Sequence, residues 1–283
     1  NEMKHLIIFI AGLLVVATAT AQRPVRFRNE ATDTTRITAA LIELDNNKKV
    51  PAQALVSAAG KMFLGTPYVA GTLEEDPEMI TVDMERLDCT TFVEMAAAMA
   101  ITIENRRSSW RDYVYNLEQL RYRGGKVNGY ASRLHYISDW IVDNSHRGLL
   151  QEVTDRIGRA DYAVKTLDYM TSHRNSYPAM ADSANFMGIK NTEIGYRSHR
   201  FPYIKPQNVK DADIREGDII AIVTSVKGLD VTHLGIATIK EGKVHLMHAS
   251  SKKGEVVIDP LPLQEYLRRN RSAIGIRVIR IKD

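Results

Sequence analysis

The feature that most constrains the fold is a change of pattern near residue 214. Before it, apolar residues recur at helical spacing: Ile37, Leu41 and Leu44, then Leu55, Val56, Ala59 and Phe63, then Phe92, Met95, Ala96, Met99 and Ile103. After it come short β-type runs at 219–223, 232–240, 243–250, 256–258 and 274–281. Helices first and an antiparallel meander second predict an α+β domain.

Helices are expected over 33–47, from Pro51 to about 64, and over 91–105, 109–121, 131–144, 149–157, 178–187 and 262–269. Residues 161–171 suggest a poorly alternating strand, and 69–87 read as one long loop. Ile274, Ile276 and Val278 alternate, but Ile279 and Ile281 flip the phase; a bulge near 278–279, or burial of both faces, explains this. With no repeat or linker in view, one domain is expected over 22–283, with a helical N-terminal extension and a helical insertion at about 109–187.

Residues 1–21 are set apart from this domain. A basic start at Lys4-His5, an apolar run over 6–16 and a small-x-small Ala19-Thr20-Ala21 form a secretory signal peptide, cut to leave Gln22. The alternative is an uncleaved anchor, but the run is short for a bilayer. No cysteine follows it, which excludes bacterial lipoprotein-type lipidation. Export, most simply to the periplasm, and no stable membrane anchor after cleavage are therefore expected. The net charge of +4 is mild and spread along the chain, so it does not suggest nucleic acid.

One cysteine occurs in 283 residues, so an internal disulfide is impossible and the thiol is either buried and inert or kept for chemistry. It lies in Leu87-Asp88-Cys89-Thr90-Thr91-Phe92-Val93-Glu94, where Thr91 and Glu94 have capping-box spacing. Cys89 thus falls at a helix start, where free N–H groups and the helix dipole favour a thiolate.

A nucleophilic cysteine needs a base. His233 begins a strand beside Gly235. If Glu241-Gly242 is a two-residue hairpin turn, Gly235 faces His248, and His248 shares a sheet face with His233. His245 then points the other way; a three-residue turn would exchange the two. The three histidines could instead be ordinary strand residues. A metal site is not expected, because no carboxylate falls in ligand spacing with them. A serine elbow and phosphate-binding glycine loops are also absent. Arg133, Tyr136 and Trp140 would share one helical face, and His135 and Asp139 another. Core packing is the common reading of such a stripe; a sugar–peptide groove is the sharper one.

The set Gly65-Thr66-Pro67-Tyr68, Asp88-Cys89, Gly217-Asp218, His233-Leu234-Gly235-Ile236 and His248-Ala249-Ser250 resembles the NlpC-type papain-like cell-wall hydrolases. The resemblance implies Cys89 as nucleophile, His233 as base and His248 as the third residue. It implies Tyr68 at the oxyanion and Asp88 at the substrate, peptidoglycan fragments as partner, and no cofactor; Thr90, next to the cysteine, is a further candidate for the oxyanion or substrate. Thr90-Thr91 departs from the small pair usual after the cysteine. Arg133-Leu134-His135-Tyr136, Asp139-Trp140 and Phe201-Pro202-Tyr203-Ile204 resemble the branch of N-acetylmuramoyl-L-alanine amidases that favours anhydro-muropeptides. The expected activity is an amidase, with a D-glutamyl–diamino acid endopeptidase or a non-catalytic wall-binding protein as alternatives. Arg133, His135, Tyr136 and Trp140 are the candidate groove.

Overall fold

The computed structural model describes residues 24–46 and 50–282. The signal peptide expected over 1–21 lies outside the described residues. In chain order the elements are β1 (Val25–Phe27), α1 (Glu30–Asn46), α2 (Ala52–Lys61), β2 (Ile80–Val82), α3 (Cys89–Glu104), α4 (Trp110–Arg121) and α5 (Ile137–His146). Then come β3 (Leu150–Glu152), β4 (Asp161–Lys165), α6 (Tyr169–Ser172), α7 (Ser183–Gly195) and β5 (His199–Tyr203). The last part holds β6 (Ile219–Thr224), β7 (Val231–Lys240), β8 (Lys243–Ser250), β9 (Glu255–Pro262), α8 (Leu263–Arg269) and β10 (Ala273–Ile281).

The α+β expectation matches this architecture. A six-stranded antiparallel sheet runs β3-β10-β6-β7-β8-β9. One face packs against α1–α4, with α3 at the centre; Ala96, Ala97, Ala98 and Ala100 are fully buried, so the helix backbone approaches closely. The other face packs Ile220, Ile222, Leu246, Ile276 and Val278 against Val209, Ile214, Leu263 and Leu267. Burial on both faces is why β6 reads as an unbroken apolar run.

Of the two explanations for the phase flip at 278–279, burial of both faces holds and the bulge does not. The β10–β6 register is continuous there, and shifts instead at Ala273/Gly275. Arg277 and Arg280 tolerate the interior because each meets a carboxylate. Arg277 grips Glu152 at 2.7 and 2.8 Å, and Arg280 grips Asp218 at 2.7 and 3.0 Å. Gly217 supplies the turn before Asp218. Its φ is +84°, and a Cβ there would lie 1.5 Å from the Gln53 carbonyl oxygen, so no other residue fits.

The segment before α5 differs most from expectation. The helix begins at Ile137 and not at 131, because Arg133 and Tyr136 are extended and Leu134 N–H bonds the Arg121 carbonyl. The shared face of Arg133, Tyr136 and Trp140 therefore does not exist. Residues 149–157 hold strand β3 on the edge of β10 instead of a helix. The long loop contains β2, paired in parallel with β1. The strand expected over 161–171 ends at Lys165, and 178–187 divides into a short 3₁₀ turn and the start of α7. Pro51 caps α2 from outside rather than sitting in its first turn. The stretch 109–187 is consequently mixed rather than helical. Part of it, with α7, closes over a small separate core of Tyr130, Tyr136, Leu167, Met170, Met180 and Ile189.

Candidate active site

Cys89 is the first residue of α3, as the sequence suggests, but a different residue caps the helix. Asp88 Oδ1 accepts from the Thr90 and Thr91 N–H groups at 3.0 and 2.8 Å, and Thr91 Oγ1 accepts from the Asp88 N–H at 2.9 Å. The box is Asp88–Thr91, not Thr91–Glu94. Glu94 is instead a buried partner of Arg121.

This cap changes the electrostatics expected of Cys89. Asp88 occupies the anion position that the helix N-terminus offers, and places its own charge beside the sulfur. Burial first, and Asp88 second, push the thiol up to about 11; hydrogen bonds from Leu234 N–H and Thr90 only partly oppose this. The expected preformed thiolate is therefore replaced by a neutral thiol at rest. Asp88→Ala is expected to cost about 1 kcal/mol of stability through loss of the cap. It should also lower the Cys89 pKa, read by ultraviolet titration of the thiolate; an unchanged titration would remove Asp88 from this account.

The hairpin forms as expected. Glu241 and Gly242 have φ of 51° and 73°, a two-residue turn, and Ile236 pairs with Met247. That parity brings His233 and His248 to one face, with His233 Nε2 2.6 Å from His248 Nδ1. His245 points away, with its Nδ1 2.9 Å from the Asp259 carbonyl oxygen. Leu234, the residue after His233, bonds Cys89, so strand and helix start meet at the sulfur.

Tyr68 joins them through backbone pairing. Gly65 and Thr66 bridge to Val256, Tyr68 N–H bonds Gly254, and Val69 N–H and Leu87 N–H close the strip at 3.0 Å each. Burial, then the nearby Cys89 and Asp88, raise the Tyr68 pKa, so its hydroxyl is a neutral donor.

Two residues of this region escape the sequence reading. Asp259 on β9 sets Oδ2 3.8 Å from His248 Nε2, a buried nitrogen with no hydrogen-bond partner among the described residues. Its Oδ1 is held by Leu261 N–H at 2.9 Å. Tyr266 on α8 lays its ring edge-on to His248 at 5.5 Å, and its hydroxyl is pushed up to about 12 by burial and by the Asp259 and Cys89 charges. The signal for Asp259 is its place two residues beyond Val257, which pairs with His248. No periodicity marks Tyr266.

The candidate groove residues sit elsewhere. Arg133, Tyr136 and Trp140 are in the interior, not on a groove wall. Arg133 spans Glu74 and Glu78 at 2.8 and 3.3 Å, Tyr136 donates to Glu193 at 2.7 Å, and His135 packs on Tyr130. Among the described residues there is no His, Cys, Asp and Glu cluster suited to a metal ion.

Burial holds both site imidazoles neutral, pulling His233 and His248 down to about 4. For His248 this has a stability consequence. Its folded pKa lies below the unfolded 6.5, so the unfolded chain binds the extra proton between those values. Stability is full above pH 6.5 and falls by about 3 kcal/mol from this group as pH drops toward 4. His248→Gln should flatten the acid side of a Tm-versus-pH curve; an unaltered slope would contradict the assignment.

The chain matches the family described as AmiA-like, N-acetylmuramoyl-L-alanine amidase-like, over residues 58–276. It is similar to the crystal structure of an N-acetylmuramoyl-L-alanine amidase from Bacteroides uniformis, at 37% identity over 82% of this chain and 99% of that one, with a TM-score of 0.78. A Bacteroides fragilis structure provisionally named a xylanase is 40% identical over 79% of this chain and 100% of that one, with a TM-score of 0.75. A Legionella pneumophila protein shares the fold at 21% identity over 90% of this chain and 97% of that one, with a TM-score of 0.68. No curated protein matches.

Proposed function

The chain belongs to the AmiA-like, N-acetylmuramoyl-L-alanine amidase-like family, and from that premise we propose that it is a cysteine amidase with a papain-like site. Its substrate is the amide between N-acetylmuramic acid, in the 1,6-anhydro form, and L-Ala of peptidoglycan fragments. The observation that carries this is the 2.6 Å contact between His233 Nε2 and His248 Nδ1 on strands that meet the Cys89 helix start.

One distribution of protons supports this chemistry. If His233 Nε2–H donates to His248 Nδ1, His248 carries its own proton on Nε2, facing Asp259. His233 Nδ1 is then the lone pair free to take the Cys89 proton. With a thiol near 11 and an imidazole near 4, a resting ion pair is disfavoured. Proton transfer therefore accompanies attack on the carbonyl. The Asp259 charge behind His248 stabilises the imidazolium as it forms. Asp88 takes the N–H groups of Thr90 and Thr91, which leaves the Cys89 N–H and the Tyr68 hydroxyl for the tetrahedral oxyanion. His233 returns the proton to the leaving L-Ala nitrogen, and water hydrolyses the thioester by the reverse route.

The wall beside His233 also argues against glycoside hydrolysis, which needs two carboxylates facing one bond. Among the described residues Asp259 is the one carboxylate lining that wall, and it is turned to His248, while Asp88 beside Cys89 is held by the Thr90 and Thr91 N–H groups. Residues 1–21 would carry the enzyme to the periplasm, and no described helix is long and apolar enough to cross a membrane. The test is release of free stem peptide from a purified disaccharide–tetrapeptide, followed as a new primary amine. Failure to release it would discard the reading.

A further inference from the structure

The cleft that contains the two imidazoles has a polar wall that proton transfer does not use. It encloses about 380 Å³ between the start of β7, the turn joining β8 to β9, and the end of α8 with the residues after it. Lys252, Lys253 and Arg269 line it together with Ser250, Ser251, Asn270 and Ser272. All three cations are exposed, and none has an ion-pair partner among the described residues. Asp259 lines the cleft too, but it is held by Leu261 and faces His248. The wall therefore carries a net positive charge, three cations against the one carboxylate of Asp259.

The chemistry says which part of a substrate lies there. His233 must give its proton from Nδ1 to the departing amine, and His233 is itself a lining residue of this cleft, so a leaving group held at that imidazole borders it. This rests on the amidase reading, in which the leaving group is the stem peptide, a peptide amine rich in carboxylates. We propose that Lys252, Lys253 and Arg269 form a subsite for stem-peptide carboxylates, and make the enzyme select acidic leaving groups over amidated ones. Cations at a cleft rim gather an anionic ligand and hold it weakly, and salt screens them.

The experiment compares a disaccharide–tetrapeptide bearing free carboxylates with the same compound converted to amides. At low salt the wild-type kcat/KM is expected to favour the acid by about tenfold, mostly through KM, and the preference should shrink as salt is added. In the Lys252→Gln, Lys253→Gln double variant the ratio should fall to within about twofold, while Lys252→Arg, Lys253→Arg retains it. A wild type with no preference, or a glutamine variant that keeps it, overturns the subsite. Product masses from the same reactions separate the two claims. Cleavage at a bond other than sugar–L-Ala counts against the amidase reading, whereas cleavage there with an unchanged ratio sinks the subsite alone.

Discussion

Cys89→Ala should lose turnover by roughly 10⁴-fold or more while keeping its fold. The chain has no second thiol to substitute for it. Cys89 is half-buried, and its removal leaves the Asp88–Thr91 cap in place, so thermal stability should change by about 1 kcal/mol or less. Cys89→Ser should be almost as inactive. An imidazole held near 4 is a weak base, and a hydroxyl gives up its proton less readily than a thiol. Substrate binding should survive in both variants. Retained hydrolysis in Cys89→Ala, measured with unfolding curves alongside, would end the cysteine mechanism.

Arg121→Met should be the most damaging single change to the scaffold behind the site. Arg121 Nε lies 2.6 Å from Glu94 Oε2, and both side chains are almost fully buried. A second guanidinium nitrogen reaches the Thr81 carbonyl at 2.7 Å, so the residue ties α4 to α3 and to β2. Removing it strands the Glu94 carboxylate, whose pKa burial already raises, at a cost of about 3–5 kcal/mol. The double variant Glu94→Leu, Arg121→Met should recover much of that loss, because the pair's own net contribution is small once both charges are gone. Urea unfolding of the two variants checks this; equal destabilisation would mean that packing, not the stranded charge, sets the cost.

The parts legible from sequence are those set by local rules. Glu241-Gly242 specifies a two-residue turn, and with it the parity that joins His233 to His248. The alternation of elements specifies helices against an antiparallel sheet. What escaped depends on partners far along the chain. The Thr91–Glu94 spacing imitates a capping box, but Arg121 claims Glu94 and Asp88 takes the cap. The stripe at 133–140 imitates a helical face, but Glu74 and Glu78 hold Arg133 in extended backbone before α5 begins. Asp259 reaches His248 through the β8–β9 register, in which Val257 pairs with His248, and the turn between Ser250 and Glu255 is longer than the two-residue type whose register the sequence dictates. The thiol's raised pKa has the same origin, because burial outweighs the helix dipole only once the sheet covers the helix start.

The central claim is that Cys89 attacks the carbonyl carried by the sugar. Hydrolysis of a disaccharide–tetrapeptide in ¹⁸O-water, with tandem mass spectrometry of both products, locates that carbonyl directly. One ¹⁸O atom is expected in the lactyl carboxylate of the muramic acid, with a free peptide that begins with unlabelled L-Ala. A label on the D-glutamyl carboxylate, with L-Ala still attached to the sugar, would contradict it.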